Sequence, residues 1–263
     1  MSFFLQYPAL AAVLFILLFG GALYGFLELG RRRGRRQIEL DPTGSRTGLG
    51  AMEASLYGLF GLLLAFHFGG ATNRFVARRD QVGEEIKIVR TLWRRLDHLP
   101  APARDALRAR VRQHVSDHLK AYTDATTVEG FRNDMERLKA FEDQMWTETL
   151  AAVKAPGADA YAATILGSMI ALFDSRAART AAIDNHLPAV IHAMFFTLAF
   201  VVAFMVGFGL AEAKVRNWTH IGGFLVIVTL AVYVIMDLEF PRLGLIRVDF
   251  ADEQIRALLQ TLK

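Results

Sequence analysis

One uncharged stretch of this 263-residue chain carries ionisable groups at both of its ends. Glu53, Tyr57, Phe60, Leu64, His67 and Ala71 recur at steps of three and four, and the same face continues to Arg74 and Arg78. At roughly 100° per residue these positions share one side of an α-helix. Polar ends flanking bulky apolar side chains suit the wall of an ion pore, with a constriction that gates by dewetting. In that role Phe60 and Leu64 form the constriction. His67 and Arg74 shape one mouth, and Glu53 stands at the other. Arg74 and Arg78 would concentrate anions while Glu53 opposed them, so the pattern does not select an ion sign.

The same segment carries a second pattern. Gly50, Ala54, Gly58, Gly61, Ala65 and Gly69 form a narrow stripe of small residues. Such stripes let helix backbones approach closely in a bilayer, where packing replaces the hydrophobic effect. Leu59, Leu62, Leu63 and Phe66 make a third, greasy face for lipid or another span. Structural roles compete with the pore reading. Glu53 falls in the first turns of the helix, where a carboxylate favours the dipole or pairs with an arginine. His67 can simply hydrogen-bond to a neighbouring span.

Other chemistry finds little support. The chain has no cysteine, which removes thiol catalysis, thiolate metal sites and disulfides. No HExxH spacing or other His/carboxylate cluster suggests a metal, and His192 and His220 read as interfacial or hydrogen-bonded. A phosphate-binding Gly-rich loop and a GxSxG elbow are both missing. No catalytic residue and no cofactor is expected. Carboxylates of the middle segment alternate with Arg and Lys, as on a solvated face.

The elements that position these residues follow from composition. The chain is 53% hydrophobic and 21% charged, yet residues 2–27 carry no charge. Residues 54–73, 187–211 and 217–236 are interrupted only by His67, His192 and His220 respectively. Each run has the roughly 20 apolar residues that cross a hydrocarbon core as a helix. By contrast, residues 74–185 hold 34 of the 56 charged residues. This distribution excludes a soluble globular enzyme, a secreted disulfide scaffold and a disordered tail. It describes an all-α membrane protein with four transmembrane helices and a helical extramembrane insert between spans two and three.

Span one covers about 8–29 and contains Gly20, Gly21 and Gly25; Asp41-Pro42-Thr43-Gly44 breaks the chain after it. Span two begins near 48 and ends near 72. Val82, Ile86, Val89, Trp93 and Leu96 then continue at steps of four, three, four and three, which predicts one long helix reaching Leu99-Pro100. A second insert helix carries Leu107, Val111, Val115, Leu119 and Tyr122. A third covers about 128–153 and ends at Ala155-Pro156-Gly157. A fourth carries Tyr161, Ile165, Met169, Leu172 and Ile183. Pro188 suits the first turn of span three, with Asn185 as its cap. Spans three and four form a hairpin across 212–216. Trp93 and Trp146 fall on insert core stripes, whereas Trp218 sits at a membrane interface. The tail ends in an amphipathic helix with Ile255, Leu258, Leu259 and Leu262 on one side. The expected division is 1–73 for spans one and two, 74–186 for the insert, 187–240 for spans three and four, and 241–263 for the tail.

The charge of +4 comes mostly from arginines beside the membrane, including Arg31, Arg32, Arg33, Arg35 and Arg36. With no nucleic-acid motif beside them, these meet lipid phosphates rather than nucleic acid. The N-terminal run lacks a preceding basic residue and a small-x-small site, so it is expected to stay in the mature protein. The positive-inside rule compares eight Lys or Arg on one side with nine on the other, and does not choose an orientation.

Several strings together carry a family resemblance. Gly58-Leu59-Phe60-Gly61-Leu62-Leu63-Leu64-Ala65-Phe66 leads to Arg74-Phe75, Arg78-Arg79, Glu84-Glu85 and Leu99-Pro100. Asp174, Arg176, Arg179, Leu187-Pro188, Asp237, Phe240-Pro241 and Gly244 follow in order. The chain resembles the bestrophin-like family of bacterial four-span membrane proteins. Where that pattern has Asp-x-Pro-Phe-x-Gly after span four, this chain has Glu239-Phe240-Pro241-Arg242-Leu243-Gly244. The resemblance implies a relative of bestrophins, which are pentameric anion channels. Their pore is lined by span two, narrowed by an apolar neck and continued by a cytosolic helical region. It implies a homo-oligomer, inorganic ions and the lipid bilayer as partners, and the bacterial inner membrane as location. Calcium-binding residues of bestrophins match no position here. A non-conducting scaffold or sensor, whose insert binds a partner, is the alternative.

Overall fold

The computed structural model describes residues 8–41, 49–124, 127–240, 245–246 and 249–262. Pro42, Thr43 and Gly44 of the first expected turn lie outside these, as do Pro241 to Gly244 of the last. No strand occurs among the described residues. Among the described residues eight α-helices follow in order: α1 (Pro8–Leu40), α2 (Leu49–Arg95), α3 (Ala101–Thr123), α4 (Val128–Ala152), α5 (Ala162–Asp184), α6 (Ala189–Gly209), α7 (Trp218–Glu239) and α8 (Asp249–Thr261). Short 3-10 turns cover Leu96–His98, Asp159–Tyr161 and Leu210–Glu212. Among the described residues, four helices are long and apolar enough to cross a membrane, and they fall in α1, α2, α6 and α7.

The chain divides into two compact units. One comprises Tyr7–Phe75 and His186–Ile246, the other Val76–Asn185 and Arg247–Lys263. The tail helix α8 thus belongs with the insert helices, and α2 contributes residues to both units.

In the apolar unit, α1 packs along α6 and α7. The core contains Phe19, Leu23, Phe60, Phe195, Ala199, Val202, Val232 and Ile235. Two glycines set the closest approach. A Cβ on Gly30 of α1 would overlap the Phe204 carbonyl, and one on Gly207 of α6 would overlap the Leu27 carbonyl. The two backbones therefore touch directly, which is how small residues gain packing contact in a bilayer. This also explains why α1 outruns the expected end near 29. Gly30 and Gly34 serve as contact points with α6, and Glu28 supports the next turn through Arg32 at 3.4 Å. Large apolar side chains such as Leu17, Leu18, Val190 and Ile227 point outward, as lipid-facing surfaces require.

The insert unit is built around Val82, Val89, Leu92, Leu96, Leu107, Val111, Met145, Ile165, Met169 and Leu172. These are the stripe positions that repeat every three or four residues on α2 to α5. Ile255 and Leu258 of α8, with Leu262 just beyond its end, close the same core. Thr127 caps α4 by accepting the Gly130 N–H at 3.0 Å. Gly157 carries the one left-handed turn among the described residues, at φ 83°, after α4 has ended. At the entry to span three the structure differs from expectation. Pro188 is itself the N-cap of α6, at φ −53° and ψ 139°, while Asn185 terminates α5. A proline's preceding residue avoids helical geometry, so the break falls between the two helices.

Candidate functional site

Helix α2 positions every residue expected to face a pore, but most of that face is packed inside the apolar unit. Phe60 is buried and stacks on Phe195 of α6, with ring centroids 5.9 Å apart. His67 is 4% exposed and stacks on the same Phe195 at 4.3 Å. Its Nδ1–H donates to the Leu63 carbonyl at 2.9 Å, since a carbonyl only accepts. Ala71 is fully buried, and Tyr57 and Leu64 pack against the same core. Glu53 is half-buried at the start of the helix. Aromatic volume from α2 is needed to fill the gap to α6, so these residues turn inward.

What α2 leaves open is the other two patterns. Gly50, Ala54, Gly58, Gly61 and Ala65 are exposed, and Gly69 is half-exposed. A Cβ added at Gly50, Gly58, Gly61 or Gly69 would meet nothing within 4 Å among the described residues. Beside this stripe, Leu62 is 53% and Phe66 67% exposed. Ser55 and Asn73, exposed at either end, share their side of the helix at roughly 100° per residue. A polar–apolar–polar strip therefore exists on α2, rotated from the face expected from sequence.

Arg74 does not stand free at a mouth. Its guanidinium donates through Nε at 2.9 Å and through a terminal nitrogen at 2.6 Å to Glu239 of α7. Glu239, 1% exposed, also accepts the Leu187 N–H at 3.1 Å and lies 3.3 Å from His186 Nδ1. One carboxylate thus ties the exit of span two to the entry of span three and the exit of span four. Two residues earlier, Asp237 accepts the backbone N–H groups of Leu245 and Ile246 at 3.0 and 2.9 Å. Arg78, in the insert unit, donates to the carbonyls of Ala182 and Asn185. That position closes the C-terminal end of α5, where cations are favoured.

The insert carries a buried ionic cluster in place of the uniformly solvated face expected for its charges. Glu85, His118, Arg179 and Asp252 are all buried, as are His114 and Glu142. Glu85 accepts from His118 Nδ1 at 2.8 Å and from Arg179 at 3.0 Å. Glu142 accepts from His114 Nε2 at 2.8 Å and from Arg176 at 2.5 and 2.8 Å. Burial works to raise the Glu85 carboxyl, but the hydrogen bond and charge of His118, with Arg179, pull it down to about 2. Burial likewise opposes ionisation of Glu142, and its bonds from His114 and Arg176 hold it below the usual carboxylate range. Burial depresses His118, against the pull of Glu85. A sequence signal for this cluster existed. Glu85 sits three residues after Val82 and four before Val89, on the core stripe, while its neighbour Glu84 falls off it. His114 and His118 hold the same spacing between Val111 and Tyr122.

A sequence profile of the bestrophin-like domain matches residues 32–251. A search of curated protein sequences returns no match. Among solved structures, the chain is similar to a bacterial bestrophin homologue from Klebsiella pneumoniae carrying a point mutation. The TM-score is 0.63 at 14% sequence identity, covering 97% of this chain and 99% of that one.

Proposed function

Because the chain belongs to the bestrophin-like family, we propose that it is a homo-oligomeric ion channel of the bacterial inner membrane whose pore is lined by α2. Family resemblance favours five copies. The observation that carries the reading is the unpacked side of α2. An uncharged strip runs from Ser55 past Leu62 and Phe66 to Asn73, beside glycines where an added Cβ would meet nothing within 4 Å among the described residues. Around an axis, the small stripe lets neighbouring copies of α2 approach, and Leu62 with Phe66 supplies the apolar constriction. Phe60, Leu64, His67 and Ala71 then act behind the wall, fixing α2 against α6. The Arg74–Glu239 pair anchors the helix where the strip ends. Inorganic ions and lipid are the partners of this assembly.

Purified protein reconstituted in planar bilayers tests the proposal. Leu62→Ala with Phe66→Ala should raise unitary conductance or open probability, while Phe60→Ala should leave the conductance of surviving channels unchanged. A monomer or dimer in lipid nanodiscs, or an increase seen only with Phe60→Ala, would overturn it. The former outcome would favour a scaffold or sensor acting through the insert.

A further inference from the structure

The last turns of α1 meet the tip of the α6–α7 hairpin at one end of the apolar unit. Pro8 to Gly30 already supplies the roughly 20 residues that cross a hydrocarbon core, so Arg31 and the turns after it stand at headgroup level. Arg31 follows Gly30 on the side of α1 that packs on α6, and it is 3% exposed. One of its terminal nitrogens donates to the Ala213 carbonyl at 3.3 Å. Its Nε and its other terminal nitrogen are buried with no hydrogen-bond partner among the described residues. The charges that act on it most strongly are two like ones, Arg35 and Arg216, ahead of the Glu28 carboxylate. A guanidinium does not shed its proton, so one buried among like charges calls for an anion.

The neighbouring cations divide into those already engaged and those still open. Arg216 is engaged, donating to both Glu28 oxygens at 3.1 Å and to the Tyr24 hydroxyl at 3.2 Å. Arg32 bonds the same Glu28 at 3.4 Å. Arg35 lies one helical turn beyond Arg31, and Lys214 follows the carbonyl that Arg31 holds. Both are exposed and form no ion pair among the described residues. The same hairpin tip presents apolar surface. Val215 is 81% and Trp218 59% exposed. The Trp218 ring stacks on Tyr24 at 6.5 Å, with the Arg216 guanidinium 5.4 Å from its centre. An amphipathic ring in that setting belongs at the membrane interface.

We propose that Arg35 and Lys214 bind the phosphate of an anionic phospholipid, with the buried charge of Arg31 behind them fixing where the headgroup sits. The ligand chemistry is a phosphate oxyanion. Val215 and Trp218 select a lipid over free phosphate, because they give its acyl chains an apolar edge. Arg31 needs no direct contact, since in a site with little water its charge attracts the headgroup through the protein. Arg33 is the internal contrast. It is also exposed and without an ion pair among the described residues, but it lies roughly 200° around α1 from Arg31. A general attraction between basic residues and a membrane would use Arg33 as readily as Arg35. The site does not depend on whether the chain conducts.

Thermal unfolding of the intact chain, delipidated in dodecyl maltoside, tests the proposal without any current. Added phosphatidylglycerol should raise the unfolding midpoint by about 3 °C or more, as expected of a ligand that binds only the folded chain. Phosphatidylcholine with the same acyl chains should not, and neither should inorganic phosphate at about 10 mM. Arg35→Gln with Lys214→Gln should weaken the apparent affinity for phosphatidylglycerol at least about tenfold, and so should Arg31→Met. Arg33→Gln should leave it within about twofold. The Arg35 and Lys214 changes are at exposed positions, so they keep the test decisive if Arg31→Met fails to fold. Equal stabilisation by phosphatidylcholine, or a loss in Arg33→Gln as large as in the Arg35 and Lys214 double variant, would overturn the proposal. Full stabilisation by inorganic phosphate would overturn the lipid as its ligand.

Discussion

Arg74 and Glu239 lie 165 positions apart in sequence and form a two-pronged ion pair with contacts of 2.9 and 2.6 Å. The carboxylate is 1% exposed, so its charge is held entirely by the groups around it. Glu239→Ala should therefore cost on the order of 3–5 kcal/mol, because it strands a guanidinium at a site with little water. Replacing both partners at once, as in Arg74→Met with Glu239→Leu, should recover much of that loss. Denaturant unfolding in detergent for the two single variants and the double variant gives the coupling energy directly. A double variant as unstable as the sum of the singles would argue against a direct pair.

The approach of α1 to α6 predicts a second effect. A methyl group on Gly207 would overlap the Leu27 carbonyl, and one on Gly30 would overlap the Phe204 carbonyl. Both collisions are with backbone, which cannot rotate away. Gly207→Ala and Gly30→Ala should each lower stability by about 1–3 kcal/mol or more. Gly21→Ala, on α1 but with open space around it, should be neutral or mildly stabilising. Thermal unfolding of the three variants distinguishes backbone collision from a general intolerance of added volume in α1.

Much of this architecture was legible in the sequence because periodicity reports which residues avoid water. Val82, Ile86, Val89, Trp93 and Leu96 carry α2 onward past its apolar segment, and that helix runs from Leu49 to Arg95. Periodicity does not report what replaces the water. In a bilayer, lipid, a neighbouring span and a second copy are all apolar, so the three faces of α2 look equivalent by hydropathy. Phe60 and His67 therefore read as pore residues although Phe195 covers them. The Arg74–Glu239 pair left no local signal, since its partners come from different spans. Glu85 did leave one, in its place on the stripe between Val82 and Val89. Alternating charge concealed it, because Glu84 beside it is indeed exposed.

The open stripe on α2 leads to a third prediction, with the opposite sign from the Gly207 result. Gly58 and Gly61 have open space where a side chain would sit. Gly58→Leu and Gly61→Leu should leave folding of the individual chain intact, measured as unchanged far-ultraviolet circular dichroism and unfolding midpoint under dissociating conditions. If copies of α2 pack along this stripe, the same variants should shift the assembly towards monomer in analytical ultracentrifugation. Unaltered assembly in both variants would place the contact between copies elsewhere.

Acid stability should fall in two separate steps. The Glu85 carboxyl has an ordinary value of 4.5 and sits at about 2 in the folded chain. A depressed folded value means that the folded state holds its proton more weakly than the unfolded state. The stability it contributes is therefore present above about pH 4.5 and is lost as pH falls towards 2, and it amounts to about 3 kcal/mol. Glu142 is shifted the same way and adds to the same window. His118 is also depressed, through burial. Its unfolded state takes up a proton first, so its contribution is present above about pH 6.5 and declines as pH falls from there. A plot of unfolding midpoint against pH should show an upper decline below about 6.5 and a lower one below about 4.5. Glu142→Gln should shrink the lower step and leave the upper one in place, whereas His118→Gln should remove the upper step and also shrink the lower one, because His118 helps to hold the Glu85 carboxyl down. A single step that both variants abolish together would mean that the two carboxylate–histidine pairs titrate as one unit.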